Sequence, residues 1–375
     1  MNKLVRIIFT MFFLISLMGV AHGEEERSKG YFSLVDNRGK TICLTAIQAS
    51  VGDEYLNEDN RLYRVYQIRG DVARVKFVRR EKLELADDRP TLMMQWIAAI
   101  ESLWRKDNDN VQTPPGKRSI AVYYTHSDES YVPTDGRSSI EGKGTIFKVG
   151  SNLASEFRKI GVPVIDDKTP HDPHDAMAYD RSRRTAVQLL KRRPLALLDC
   201  HRDAVPPQEY RKVLNNQEVT KVRIVIGRQN PNMAANNAFA KQVKAVVDRK
   251  YPGMVRGIYY GKGAYNQDLA PRAILLEFGA HTNSRYAAER GAKIFAAAAA
   301  SVLYNRYGKT RSAQNAPVQR GSYKALIWIL GLIVGGAVLF ILLNSGIGGL
   351  KRFGKNLREE FGGDPGKKND DSDGN

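Results

Sequence analysis

A scaffold of disulfides is excluded at the outset, because the 375-residue chain has only two cysteines, Cys43 and Cys200. Cys200 sits inside an apolar run directly before His201. Alternation along a strand turns neighbouring side chains to opposite faces, so Cys200 is expected in the core and not as a metal ligand beside His201. Histidine is scarce too, six in all. Acidic residues are in deficit, 40 against 58 lysines and arginines, for a formal net charge of +18. Such a balance suits a polyanionic partner. There is no nucleic-acid recognition motif and no internal repeat, and the flanking segments point outside the cytoplasm. Nucleic acid is therefore set aside in favour of an anionic cell-wall or membrane surface.

Long uncharged apolar stretches are confined to the two ends. Residues 1–23 carry Lys3 and Arg6, then the run Ile7–Val20, then Ala21-His22-Gly23, the pattern of a signal peptide. Residues 324–344 are long and apolar enough to be expected as one transmembrane helix. Tyr323 and Trp328 lie near one edge of that segment, and Lys351, Arg352, Lys355 and Arg358 follow it. By the positive-inside rule the tail, 345–375, is cytoplasmic and the body extracytoplasmic, a single-pass membrane topology.

Between these ends, residues 24–85 hold four runs rich in β-branched and aromatic residues, separated by turn signals such as Asp36-Asn-Arg-Gly39 and Gly70-Asp71. They are expected to form a small β accessory domain. Residues 86–117 read as a helix and a polar, proline-ended linker. From 118 to 308 apolar runs alternate with helical periodicity, and 309–323 is again polar linker. The βαβ rhythm argues for an α/β fold with a mostly parallel sheet between helices. The small β domain would precede that fold and the transmembrane helix would follow it.

Three apolar runs end in chemistry: Ser119–His126, Pro194–His201 and Arg272–Glu277. Ligands of open α/β sheets gather at the carboxyl ends of strands, and two imidazoles with a carboxylate are zinc-site components. Glu129, three residues after His126, and Glu141, placed at the start of the next helix, are alternative third ligands. Glu277 interrupts an apolar strand, where an isolated charge is costly, and is expected as a general base. Arg202 can grip a substrate carboxylate, and Asp203 can orient a neighbour. Asn266, Gln267 and Asn283 offer hydrogen bonds to an amide- and sugar-rich substrate. His171 and His174, in Thr169-Pro-His-Asp-Pro-His-Asp175, are expected in a lid or substrate loop.

Thr125-His-Ser-Asp-Glu-Ser-Tyr131, Tyr179-Asp-Arg-Ser182, Asp199-Cys-His-Arg-Asp-Ala204, Ile226-Gly-Arg-Gln-Asn-Pro-Asn232, Tyr265-Asn-Gln-Asp-Leu269 and Leu276-Glu-Phe-Gly279 together resemble the stage II sporulation protein P family. The resemblance spans roughly Ser119–Tyr307. It implies a zinc-dependent N-acetylmuramoyl-L-alanine amidase acting on peptidoglycan in septal thinning and forespore engulfment, with endopeptidase activity as an addition. It also implies stage II sporulation proteins D and M as partners. Under it His126 and His201 match the family's histidines, Glu129 the acid of its first motif and Glu277 the catalytic acid. Related amidases outside the subfamily have a ligand glutamate where Glu141 stands. The anchor here is C-terminal, not N-terminal as is common in the family.

Overall fold

The computed structural model of the chain describes residues 27, 30–83 and 119–314. The signal peptide expected at 1–23, the helix and linker at 86–117, the transmembrane helix at 324–344 and the tail at 345–375 lie outside them. Among the described residues no helix is long and apolar enough to cross a membrane.

Five strands come from the N-terminal part: β1 (Phe32–Val35), β2 (Thr41–Thr45), β3 (Glu54–Asn57), β4 (Arg61–Arg69) and β5 (Val72–Arg80). Six more follow in the same sheet: β6 (Ile120–Tyr123), β7 (Val164–Asp166), β8 (Ala196–Asp203), β11 (Val222–Gly227), β12 (Val255–Gly261) and β13 (Ala273–Ala280). A separate two-stranded hairpin joins β9 (Arg211–Leu214) to β10 (Gln217–Thr220). The eleven-stranded order is β2-β1-β5-β4-β3-β12-β11-β13-β8-β6-β7.

This sheet is mixed, which corrects the expectation of a mostly parallel one. Five neighbouring pairs run parallel and five antiparallel. Four of the antiparallel pairs involve the N-terminal strands, and the fifth arises after β8. A crossover helix would have returned the chain to make β11 parallel. Instead the chain turns through the β9–β10 hairpin, whose two-residue loop, Asn215-Asn216, has φ of 50° and 58°. Asparagine is among the residues best suited to that left-handed turn. The chain thus enters β11 from the end at which it left β8, so β11 runs antiparallel to β13. Strands β6, β8 and β13 still run parallel to one another, side by side, and their carboxyl ends share one edge.

The small β domain is not a domain apart. Strand β3 pairs with β12, Leu56 opposite Ile258 and Tyr55 opposite Tyr259, and carries the sheet on without a break. One apolar cluster joins Phe32, Leu34, Tyr55 and Val65 to Tyr179, Val225, Tyr259 and Leu275. The described residues up to Lys309 therefore belong to one compact unit. Periodicity hides the junction because Arg256 and Gly257 interrupt the apolar run of β12. At Gly257 a Cβ would stand 2.6 Å from the Leu56 carbonyl oxygen and 2.6 Å from the Tyr55 ring, so only glycine lets the strands meet.

Helices cover the opposite face. After the one-turn helix α1 (Val132–Asp135) comes α2 (Ile146–Lys159), which buries Ile146, Val149, Leu153 and Phe157 along one stripe. Helix α3 (Ala178–Leu190) packs instead on the face of Tyr123 and Leu197. Helix α4 (Met233–Lys250) and the alanine-rich α5 (Arg285–Gln314) join α2 over Ile224, Ile274 and Leu276. Helix α5 runs past the expected linker start at residue 309. Cys200 lies in this helix-covered core, on the face opposite His201, and both cysteines are free thiols.

The shared sheet predicts one cooperative urea transition for the body of the chain. Gly257→Ala is expected to lower its stability by about 1–3 kcal/mol through overpacking, measured as a shift in midpoint at unchanged slope. A separate transition for the N-terminal strands would contradict the single unit.

Candidate metal centre

The end of β6 is fastened to β8 before the site begins. Thr125 donates its backbone N–H to Asp199 Oδ1 at 2.9 Å and its hydroxyl to Asp199 Oδ2 at 2.6 Å. His126 is thereby set down beside His201, with ring centroids 4.9 Å apart at 81°. The chain then turns back on itself. Ile140 N–H reaches Asp128 O, Gly144 N–H reaches Ser127 O, and Ile146 N–H reaches Glu129 O at 2.7–3.0 Å. A Cβ on Gly144 would lie 2.3 Å from Ser127 O and 2.7 Å from Glu129 N, so this close return requires glycine.

The fold-back drives Glu129 inward. Its side chain is fully buried, and Oε1 lies 3.3 Å from Nδ1 of His126 and 3.3 Å from Nδ1 of His201. Oε2 accepts the backbone N–H of Arg202 at 2.7 Å. His201 Nε2 is 3.0 Å from Asp199 Oδ1, close but off the line of a hydrogen bond. Burial opposes ionisation of Glu129, but the charges of His201 and Arg202 and hydrogen bonds from both histidines outweigh it and hold its carboxyl well below the usual range. Burial likewise opposes a charged His201, yet Asp199 and Glu129 outweigh it and push the imidazole well above its ordinary range.

These three residues fit a zinc ion. Their candidate ligand atoms all lie within 4.8 Å of one another. A tetrahedral zinc with bonds of about 2.0–2.1 Å separates its ligand atoms by roughly 3.3 Å, the spacing found from Glu129 to each histidine. Two imidazoles and a carboxylate are also a donor set that suits zinc. Glu141, the alternative, does not join them. It lies in an exposed turn, and the helix expected to begin there begins at Ile146.

Glu277 is in register with His201 on the neighbouring strand and is buried. Paired residues of parallel strands point to the same face, so its carboxyl stands on the site side of the sheet. The guanidinium of Arg223 lies 3.5 Å from its Oε1.

The expected substrate groups are placed differently. Asn266 donates to Tyr179 O and Ser182 Oγ, both at 3.0 Å. Gln267 accepts from Gly227 N–H and donates to Val225 O, both at 2.9 Å. Asn283 accepts from Ala280 N–H and donates to Pro207 O. All three are buried ties between loops and strands, with their polar groups spent inside the fold. Arg202 is buried as well, and it gives the site its backbone N–H and the charge of its guanidinium. The loop of His171 and His174 does cover the site. His174 stacks on His126 with centroids 3.9 Å apart and binds Asp128 at 2.9 Å. His171 is structural, bonded to Tyr124 O and Thr185 Oγ1.

Residue spacing misses two contributors. Asp199 precedes His201 by two positions, so strand alternation puts both on one face, a signal present in the sequence. Arg223 interrupts the apolar strand β11 as Glu277 interrupts β13, and the same cost argument applies to it.

A family model described as stage II sporulation protein P matches residues 66–300. The chain belongs to the stage II sporulation protein P family. It is 28% identical over 236 residues to stage II sporulation protein P of Bacillus subtilis (strain 168), a match spanning 56% of this chain and 58% of that protein. Among solved structures, the N-acetylmuramyl-L-alanine amidase Ami1 of Mycobacterium smegmatis aligns with TM-score 0.34 and 16% identity over 52% of this chain and 98% of that one. The CwlD amidase of Clostridioides difficile, solved in complex with the GerS lipoprotein, aligns with TM-score 0.34 and 12% identity over 52% and 100%.

Two outcomes follow for metal content. Elemental analysis of purified protein is expected to give about one zinc per chain, lost in Glu129→Ala and kept in Glu141→Ala. Because Asp199 and Glu129 push the His201 imidazole well above its ordinary range, binding metal must release its proton, so zinc affinity is expected to rise with pH up to that raised range. A pH-independent affinity in a competition titration would contradict that coupling.

Proposed function

We propose that the chain is a zinc-dependent peptidoglycan hydrolase cleaving the amide between the lactyl group of N-acetylmuramic acid and L-alanine during sporulation, in septal wall thinning and forespore engulfment. One observation carries the reading: a buried carboxylate, Glu129, shared by two strand-end imidazoles, with a second buried carboxylate, Glu277, in register beside one of them. Membership of the stage II sporulation protein P family supports the biological setting. The substrate places the work outside the cytoplasm, and stage II sporulation proteins D and M are the partners that the family implies.

His126, Glu129 and His201 would hold the metal. Zinc supplies Lewis acidity, activating water as a nucleophile and polarising the scissile carbonyl. Glu277 takes the proton of the attacking water and passes it to the departing amine, the work of a general base turned general acid. Asp199 sits 3.0 Å from the far nitrogen of His201, where its charge would steady that ring. The Arg202 N–H fixes the rotamer of Glu129 through Oε2 and leaves Oε1 facing the histidines.

Glu277→Gln is expected to reduce kcat on purified peptidoglycan by about 10²–10⁴-fold with zinc content unchanged. Mass spectrometry of the products decides the bond: free stem peptides with an N-terminal L-alanine mean the amidase reaction. Products cut within cross-links would replace it by an endopeptidase. Binding to the wall with no release of peptide, with or without chelator, would leave a non-catalytic scaffold and overturn the reading.

A further inference from the structure

Arg223, the second residue of β11, has no solvent exposure and stands directly opposite Glu277 in antiparallel register. A buried guanidinium is tolerated only where anions and acceptors surround it. Here its Nη2 meets two carboxylates unequally: Asp203 Oδ2 at 2.8 Å and Glu277 Oε1 at 3.5 Å. Asp203 cannot move to even the distances, because three other donors hold it. Ala46 N–H and Ala204 N–H bind Oδ1 at 3.2 and 2.8 Å, and the Tyr210 hydroxyl binds Oδ2 at 2.9 Å. The other arm of the guanidinium, Nη1, donates to the carbonyl of Leu44 at 3.3 Å. That same carbonyl also receives Arg256 at 3.3 Å.

We propose that Arg223 is a positioning residue for Glu277, and that β2 with Ala46 completes its seat. The proposal rests on Glu277 being the proton carrier. Asp203 and Leu44 hold the guanidinium in place, so Glu277 finds a cation at a fixed point. A proton carrier must lie within about 2.6–3.2 Å of its proton in the reacting complex, and a displacement of 1 Å can cost about 10²-fold. The N-terminal strands, which carry no catalytic motif, thus act on the reaction through two backbone groups, the Leu44 carbonyl and the Ala46 N–H.

The test uses the full zinc-loaded chain with purified peptidoglycan. Arg223→Lys keeps the charge and loses the fork, and Asp203→Asn keeps the shape and loses the anchor. Each is expected to lower kcat at least about tenfold, with KM within about twofold and zinc content unchanged. In a Glu277→Gln background neither is expected to lower kcat further, because the group they position is gone. A purely structural role would give the same fractional loss in both backgrounds and would overturn the proposal. So would a folded Arg223→Lys with unaltered kcat. Should that variant fail to fold, Asp203→Asn is judged by the same criteria. Glu277→Gln measured alone keeps the two readings apart: if it retains full activity, the proposed mechanism fails before the positioning question arises.

Discussion

Everything at this site depends on burying one carboxylate. Glu129 has no access to solvent, and an ion so placed is tolerable only with charge and hydrogen bonds close around it. The fold supplies two imidazole nitrogens on one oxygen and a backbone N–H on the other. The neighbours that hold Glu129 ionised also push the His201 imidazole above its ordinary range, so a metal bound there would displace a proton. The same constraint explains why Gly144 matters: it permits the fold-back that carries Glu129 inward.

The sheet places these groups without being uniformly parallel. What the site needs is three adjacent strands running the same way, and β6, β8 and β13 provide that. Beyond them the direction reverses, because a hairpin replaces a crossover helix after β8. The reversal sets Arg223 of β11 against Glu277 of β13 in antiparallel register. It also leaves β12 as an edge on which β3 docks, so the N-terminal strands cover the face that carries His201, Glu277 and Arg223.

Much of this was legible in the residues. Apolar runs that end in His126, His201 and Glu277 identified strands that lie side by side in the sheet, and alternation placed Cys200 in the core. What depends on long-range partners was not legible. The pairing of β3 with β12 leaves no local trace, because Gly257, the residue that permits it, reads as an interruption. Asn266, Gln267 and Asn283 are polar residues near a site, and sequence alone does not say whether such groups face a substrate or tie loops together. Glu129 and Glu141 differed only in how the chain turns after Asp128, and that turn is set by backbone hydrogen bonds to Ser127, Asp128 and Glu129.

The central claim is that His126, Glu129 and His201 form one metal centre. Anomalous diffraction at the zinc edge, from crystals grown with zinc, tests it most directly. The account predicts one dominant peak bounded by the Nδ1 atoms of His126 and His201 and by Oε1 of Glu129. A peak bound through Glu141, or at His171 and His174 with the three proposed ligands left bare, would contradict it.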